Sequence, residues 1–572
     1  MSTSVAAHVV SSLASVGVTQ VWGVVGDALN PFTDAVRLDD RVEWVGVRHE
    51  EAAAFAASAQ AQLTGRLAVC MGTVGPGSIH LLNGLYDAKK SHAPVLAICG
   101  QVPRAEIGTN FFQEVDNDRL FADVAVWTGT LTSPEQLPHL LSQAVDAAVA
   151  RRGVAVLTVP GDVGGLDGPD EAARFAPPAA PVAAPEEQVA RAADILTSGG
   201  DVTLLVGCGA RDARDQVLRL ADTLAAPMVV TLKGKEGLER DNPFQVGQSG
   251  LIGNPAAAHA LDACDVLVLV GTDFPYRDWY PTGKTVLQLD ADASHVGRRT
   301  TVDHALVGDA ALTLDALLPR LERRDDRKHL DRAVKEFGVW HAAQRRLLDP
   351  AHDRSLLGRV RSRFDNPDER IRPEAVAAAV DAAAPDDTIF TSDTGMSTAW
   401  LARFVEMRGT RRLVGSYNLG SMADAMPMAL GAQALDRTRP VVAFCGDGGL
   451  MMLLGDLRTA VTYELPVVLV VFDNASLGMV RLEQEQGGLP RFGTDLDNPD
   501  IAAVAVAMGL AARRVEDPAA LEEAVAWAFA QDGPVLLDVV TNPDEVAIPP
   551  KPTVSQGWGF AIAKSKEVLE SR

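Results

Sequence analysis

A rhythm constrains this chain more than any single motif. Short runs of Val, Leu and Ile alternate with Ala-rich stretches of helical period almost throughout, as in "VTLLVGCGARDARDQVLRLADTLAAPMVV" from Val202 to Val230. Apolar runs of that length between helices read as strands buried on both faces, the βαβ pattern of parallel sheets covered by helices. The expected fold class is α/β, built from doubly wound parallel sheets. At 572 residues the chain is too long for one core, since single cores stop growing at about 250–300 residues. Two stretches break the rhythm. "FAPPAAPVAAPEE", Phe175 to Glu187, is proline-rich and aperiodic, a semi-rigid linker. The charged region from about Arg320 to Arg372 lacks strand-like runs; "ERRDDRKHLDRAVKEF" reads there as an exposed helix and "FDNPDERIRPE" as a connection. Three α/β domains are expected, at 1–178, 188–340 and 360–545, with a C-terminal tail at 546–572.

Composition removes some functions. With 52 Lys+Arg against 75 Asp+Glu the net charge is −23, which argues against broad electrostatic binding to nucleic acid or anionic lipid. The five cysteines (Cys70, Cys99, Cys208, Cys264, Cys445) lie mostly in apolar runs, with no CxxC or metal-ligand spacing, and read as reduced thiols of a cytosolic protein. The N-terminus lacks the basic region of a signal peptide, and no apolar run reaches the length of a membrane span. The expected location is the cytoplasm, with at most peripheral contact at the inner face of the cell membrane.

The most informative stretch is "CGDGGLMMLLGDLRTAVTYELPVVLVVFDNAS", Cys445 to Ser476. "RPVVAFCGDGG" reads as strand then turn, Leu450 to Tyr463 as helix, and "LPVVLVVFDN" as the next strand. Asp447 and Asn474, 27 residues apart (474 − 447), then fall at the carboxyl ends of two strands of one sheet, the edge where open α/β sheets bind ligands. A carboxylate and an amide oxygen are hard donors suited to Mg²⁺, while Gly446, Gly448 and Gly449 let backbone approach a diphosphate. Either motif alone reads more readily as a turn after a strand; the spacing makes them a magnesium-diphosphate clamp.

This signature resembles that of the thiamine diphosphate enzymes, and within them the pyruvate:quinone oxidoreductase and pyruvate oxidase family. "VGVRHEEAAAFAASAQAQLTGRLAVC" and "GTVGPGSIHLLNGLYDAKKSHAPVLAI" look like the pyrimidine-binding domain. "SYNLGSMADAMPMALGAQ" looks like the entry to the diphosphate-binding domain, and "GQSGLIGNPAA" with "LVGTDFPYRDWYPTGKTVLQLDAD" like a central FAD-binding domain. The resemblance covers nearly the whole chain, the tail excepted.

The resemblance implies thiamine diphosphate, Mg²⁺ and FAD as cofactors. Glu50 matches the glutamate that activates the coenzyme by hydrogen bonding to its aminopyrimidine; read alone, it would only complement a helix dipole. Phe112 and Gln113 match active-site loop residues of the first domain, and Met479 and Glu483 match residues over the substrate in the third. Gly420, Ser421 and the wedge residue Met422 would hold the coenzyme with Asp447, Gly448, Gly449 and the run Asn474, Ala475, Ser476, Leu477, Gly478, Met479 and Val480. Asp447, Asn474 and Ser476 form the implied metal set. The flavin set is Gly207, Gly209, Leu251, Ile252, Gly253, Asn254, Gly271, Thr272, Phe274, Pro275, Tyr276, Arg277, Asp278 and Asp292. His49, His80 and His92 read as structural or solvated. The chain departs from the family pattern at Asp473, where Asn is common, at Leu419, often His, and at "GTVGPGS", usually "GPGN".

The implied reaction is oxidative decarboxylation of pyruvate to acetate and CO2 by way of hydroxyethyl-thiamine diphosphate, electrons passing through FAD to a quinone. The implied assembly is at least a dimer, usually a homotetramer. Three alternatives stay open: an oxygen-using pyruvate oxidase, an acetohydroxyacid synthase-like carboligase with structural FAD, and a catalytically silent cofactor-binding scaffold.

Overall fold

The structure is a computed structural model that describes residues 3–177, 179–348, 366 and 369–544; the tail expected at 546–572 lies outside them. The apolar runs form three wholly parallel sheets. The first comprises β1 (Gln20–Gly23), β2 (Glu43–Gly46), β3 (Ala68–Gly72), β4 (Val95–Gln101), β5 (Ala125–Thr130) and β6 (Val154–Pro160), in the order β2-β1-β3-β4-β6-β5. The second comprises β7 (Val202–Val206), β8 (Met228–Val230), β9 (Val266–Val270), β10 (Thr285–Asp290) and β11 (His304–Val307), in the order β11-β10-β9-β7-β8. The third comprises β12 (Ile389–Ser392), β13 (Arg412–Gly415), β14 (Val441–Gly446), β15 (Val468–Asp473), β16 (Ala511–Val515) and β17 (Val535–Val540), in the order β13-β12-β14-β15-β17-β16. The fold is therefore three α/β units. The first and third share one strand order.

In each outer sheet the helix after the second strand carries the interface with the other outer unit. The helix Glu50–Thr64 is buried at every position from Ala52 to Ala61, and Ala425–Leu435 from Ala425 to Ala434. The two cross closely enough that a Cβ on Gly431 would lie 2.4 Å from the Ala56 carbonyl oxygen. On another side, Gly84 brings the helix Leu82–Lys90 equally near, its Cβ position 2.5 Å from Ala54 Cβ. This accounts for the alanines: a helix gripped by backbone on two sides has no room for longer side chains. Polar bonds fix the register, with Gln60 Nε2 donating to the Gly431 carbonyl at 3.1 Å and Gln20 Nε2 to that of Ala434 at 3.1 Å. Trp22, Phe55, Leu430 and Leu457 share one continuous core across the two units.

Two local expectations change, the helix over Leu450–Tyr463 and the helix that Gly207-Cys208-Gly209, following "VTLLV", is expected to open. The helix expected over Leu450–Tyr463 starts earlier and breaks: Asp447–Met452 is helical, Leu454–Asp456 is a 3-10 turn, and Leu457–Thr462 is a second helix. The break lies where the first unit presses in. Gly455 passes under Arg48, and the Asp456 carboxylate accepts the Arg48 N–H at 2.8 Å and the Thr459 hydroxyl at 2.7 Å. Likewise Gly207-Cys208-Gly209 opens a 3-10 turn, Cys208–Ala213, before the helix Arg214–Leu224. The charged helix is present as Lys328–Arg346.

The helix crossing yields a direct prediction. Gly431→Val should destabilise the chain by about 1–3 kcal/mol, the cost of overpacking against backbone that cannot yield. Gly533→Ala, where nothing lies within 4 Å, should shift unfolding little. Equal urea midpoints for Gly431→Val and wild type would contradict this account of the interface.

Candidate active site

The third sheet reverses direction between β12 and β14, which opens a crevice at their carboxyl ends. Asp447 lies there, the first residue of its helix and 3% exposed. Its Oδ1 accepts the Gly448 N–H at 2.8 Å, and its Oδ2 accepts from Asn498 Nδ2 at 2.8 Å. Asn474 follows β15 directly, its Oδ1 accepting the Ser476 N–H at 3.0 Å, and its Nδ2 faces Gly478. Ala475 takes a left-handed φ of 50° and turns the chain so that Ser476 is buried. The Ser476 hydroxyl oxygen has no hydrogen-bond partner. A buried carboxylate, an amide and an orphaned hydroxyl are the donor set a hard divalent cation takes, so Asp447, Asn474 and Ser476 fit Mg²⁺.

Glycine is required around this point. A Cβ on Gly448 would press at 3.1–3.4 Å on Leu496, Leu477 and Met422, and one on Gly449 would lie 2.4 Å from Asp393 Oδ2. Met422 therefore faces the Gly-Asp-Gly turn. It follows Gly420, whose φ is +81°, and Ser421, whose hydroxyl accepts from Asn83 of the first unit at 3.0 Å. Asp393, missed in the sequence because a lone acid after a strand carries no signal, accepts the Ala425 and Gly446 N–H groups at 2.9 Å each. Burial pushes its carboxyl up to about 6, and pushes up that of its neighbour Asp424 too, with the Asp393 charge adding to the effect.

On the first unit, Glu50 begins its helix at 7% exposure, capped by His49, whose Nδ1 accepts the Glu51 N–H at 3.2 Å. His80, read as structural or solvated, places Nδ1 3.0 Å from Glu50 Oε2 and stacks on the His49 ring at 4.5 Å between centroids. Gly77 leaves space for the acid: a Cβ there would lie 3.1 Å from Glu50 Oε1. Gln113 rests on Gly75 of the same turn, with its backbone in the left-handed region at φ 66°. Phe112 beside it is 78% exposed. Glu50, His80 and Gln113 are thus drawn to one turn, while Asp447, Asn474, Ser476, Met422 and Gly448 gather in the third unit.

The second sheet reverses between β7 and β9, and the candidate glycines sit at that point. Gly209 N–H donates to the Gly271 carbonyl at 3.0 Å, and a Cβ on Gly207 would lie 2.4 Å from the same oxygen. Gly253 is as tightly set against the Gln248 carbonyl. Asn254 is structural in its contacts, capping the helix Pro255–Ala263 through the Ala257 N–H at 3.0 Å and donating to Val246 at 3.0 Å. In the aromatic loop, Thr272 Oγ1 accepts the Phe274 N–H at 3.2 Å, and Phe274 is buried against Tyr276 and Tyr280. Pro275, Tyr276, Arg277 and Asp278 are exposed. Arg299 pins the loop base through Asp273 at 2.7 and 3.0 Å. Asp292 caps a short turn through the Ser294 N–H at 2.8 Å, which lowers its carboxyl.

Burial pushes the Tyr276 phenol up, with the charge of Glu483, exposed on the helix Gly478–Gln486 of the third unit, adding to the effect. Met479 and Val480 lie on that helix, Met479 against the core and Val480 outward, and Leu477 precedes it. Leu251 is half-buried, and Ile252 packs toward the third unit, its carbonyl accepting from Arg403 Nε at 3.3 Å. Behind Ile252, Gly253 and Asn254 a cavity of about 350 Å³ separates the second and third units, with neither Asp447 nor Gly207 in its walls.

Burial, with the Asp473 charge adding to it, pushes the Asp447 carboxyl up to about 7. An acid raised on folding holds its proton more tightly when folded. Its contribution to stability is full below the unfolded value of about 3.9 and is lost as pH rises through about 7. Metal-free protein should accordingly lose stability between pH 4 and pH 7, and Asp447→Asn should flatten part of that slope. Urea unfolding in chelator across this range checks it; an unchanged slope in Asp447→Asn would place the titration elsewhere.

Comparison with known proteins agrees with this architecture. Family models of the thiamine pyrophosphate enzymes match in order: the N-terminal TPP binding domain over residues 3–120, the central domain over 189–317 and the C-terminal TPP binding domain over 393–539. The chain is 36% identical over 559 residues to the thiamine pyrophosphate-containing protein YdaP of Bacillus subtilis (strain 168), whose name assigns it no reaction, covering 97% of this chain and 94% of that one. It is 32% identical over 551 residues to the pyruvate oxidase of Lactiplantibacillus plantarum, covering 94% and 88%. It is also 32% identical over 545 residues to the acetolactate synthase isozyme 2 large subunit of Escherichia coli (strain K12), covering 93% and 94%. Three domain matches in sequence order and full-length relatives at these identities place the chain in the thiamine pyrophosphate enzyme family.

Proposed function

We propose that this chain, with thiamine diphosphate, Mg²⁺ and FAD, converts pyruvate and water to acetate and CO2 and passes two electrons and two protons to a quinone. The observation that carries the redox reading is the loop Gly271–Pro281, which starts at the second sheet's switch point, is held at its base by Arg299 on Asp273 and leaves Pro275 to Asp278 exposed. A flavin bound along that loop would have an aromatic, backbone-rich wall at the strand end.

When bound, thiamine diphosphate supplies the nucleophilic carbon and electron sink for decarboxylation, and FAD the two-electron acceptor. The protein's part is positioning and proton control. Asp447, Asn474 and Ser476 would hold Mg²⁺, and Gly448 and Gly449 would let backbone close on a diphosphate. Met422 would prop the coenzyme from below. Glu50, oriented by His80 at 3.0 Å, would hold a proton at the aminopyrimidine nitrogen. Gln113, Met479 and Glu483 would line the substrate space. Glu50 and Asp447 belong to different units, and Phe112 and Phe492 are 78% and 85% exposed. A second copy of the chain would cover those aromatics, so we infer at least a homodimer and favour a homotetramer. Among the described residues no helix is long and apolar enough to cross a membrane.

The carboligase reading has support of its own, because the acetolactate synthase relative matches at the same 32% identity as the pyruvate oxidase. Anaerobic pyruvate separates the two. Oxidative decarboxylation should bleach the visible flavin band within a few turnovers, with recovery on adding soluble quinone; recovery with oxygen alone would mark an oxidase. Flavin that stays oxidised while acetolactate accumulates would assign the carboligase. Under the proposal, Glu50→Gln should keep FAD and lose about 10²- to 10⁴-fold in turnover, the range for a positioned proton-transfer group. Near-normal turnover in that variant would remove Glu50 from the mechanism.

A further inference from the structure

Two carboxylates, Asp447 and Asp473, end neighbouring strands at 3% and 5% exposure. Buried like charges this near repel unless each is compensated. For Asp473 the compensation is Arg514, whose NH1 donates at 3.1 Å to Asp473 and at 2.5 Å to Asp538. Asn498 stands between the two acids, Nδ2 donating at 2.8 Å to Asp447 Oδ2 and at 2.9 Å to Asp473 Oδ1. Both partners are acceptors, so the atom facing them must be the amide nitrogen. The segment carrying Asn498 is itself tied to the clamp loop, since Leu496 N–H donates to Ala475 at 2.9 Å and Leu477 N–H to Thr494 at 2.8 Å. With Gly448 N–H on its other oxygen at 2.8 Å, the Asp447 carboxylate has its rotation fixed from both sides.

We propose that Asn498, anchored on the Asp473–Arg514 pair, positions the Asp447 carboxylate so that the clamp selects Mg²⁺ over Ca²⁺. The inference rests on the magnesium-diphosphate reading above. Mg²⁺ demands near-ideal octahedral geometry at short distance, whereas Ca²⁺ accepts longer and less regular coordination. A carboxylate free to rotate therefore loses Mg²⁺ more than Ca²⁺. Losing a partner that orients a ligand typically costs about 10- to 100-fold in metal affinity.

The test is calorimetry of thiamine diphosphate binding to the full chain, stripped of metal and then supplied with Mg²⁺ or with Ca²⁺. Asn498→Ala should weaken binding in Mg²⁺ by about 10- to 100-fold and in Ca²⁺ clearly less, shifting the selectivity ratio toward Ca²⁺. Asp473→Asn keeps an acceptor for Asn498 and should stay close to wild type, whereas Asp473→Leu should behave like Asn498→Ala. If Asp473→Leu does not fold, the Asn498→Ala and Asp473→Asn pair decides alone. Wild-type Mg²⁺ affinity in Asn498→Ala, or equal losses with both metals, overturns the proposal. Asp447→Ala separates the two levels: wild-type binding there would sink the magnesium-diphosphate reading itself, while its loss with an intact Asn498→Ala would sink only this inference.

Discussion

Where Gly431 passes over Ala56, only hydrogen fits between one helix and the backbone of another, and the placement of the outer units follows from that contact. The helix Glu50–Thr64 starts with the proposed activating acid, and Ala425–Leu435 starts just after Met422 and Asp424. Fixing the crossing of two rigid rods fixes their ends. Because both sheets have the same strand order, the crossing brings equivalent helices together, and each unit presents the carboxyl edge of its sheet in a related orientation. A slip by one helical turn, about 5.4 Å, would shift Glu50, together with His80 and Gly77 of its own unit, along the helix Ala425–Leu435 of the third unit.

That geometry is maintained at the cost of buried charge. Asp393 spans the ends of two elements, one oxygen holding the Ala425 N–H and the other that of Gly446. It therefore fixes the helix start and the strand end relative to each other. In a low-dielectric site a carboxylate held by backbone donors is a strong and directional tether, but desolvation raises its pKa, as it does for Asp424 and Asp447. The chain tolerates three such acids because each accepts backbone or amide hydrogens, and Gly449 yields the space Asp393 needs. Asp473 differs in having a cation, Arg514, at 3.1 Å, yet its charge still adds to the rise of the Asp447 carboxyl.

The strands were legible because a parallel sheet buried on both faces demands unbroken apolar runs, and β7, β9, β14 and β15 are such runs. Asp447 and Asn474 could be found because their spacing follows from one strand–helix–strand unit. The break at Leu453 could not, since it arises from Arg48 and Asp456 meeting across more than four hundred residues of sequence. The same holds for His80 on Glu50 and for Asn498 on Asp447. In each pair both residue types are commonplace, and only the tertiary fold makes them neighbours. Asn254 shows the converse limit: it sits inside a family-like stretch, yet its amide is used up in capping a helix and holding Val246, so a flavin contact there would have to come from its backbone.

The loop Gly271–Pro281 is anchored within its own unit. Phe274 is buried under Gly250, and Arg299 clamps Asp273, so the loop is held at its base rather than at its tip. A loop fixed that way keeps the direction of Tyr276 without occupying the surface beyond it. Glu483, on a helix packed by Leu482 and Arg481, is held with similar firmness. The position of Tyr276 is thus set within its own unit, by Phe274 under Gly250 and by Asp273 on Arg299, residues brought together by the fold rather than by the sequence of the loop.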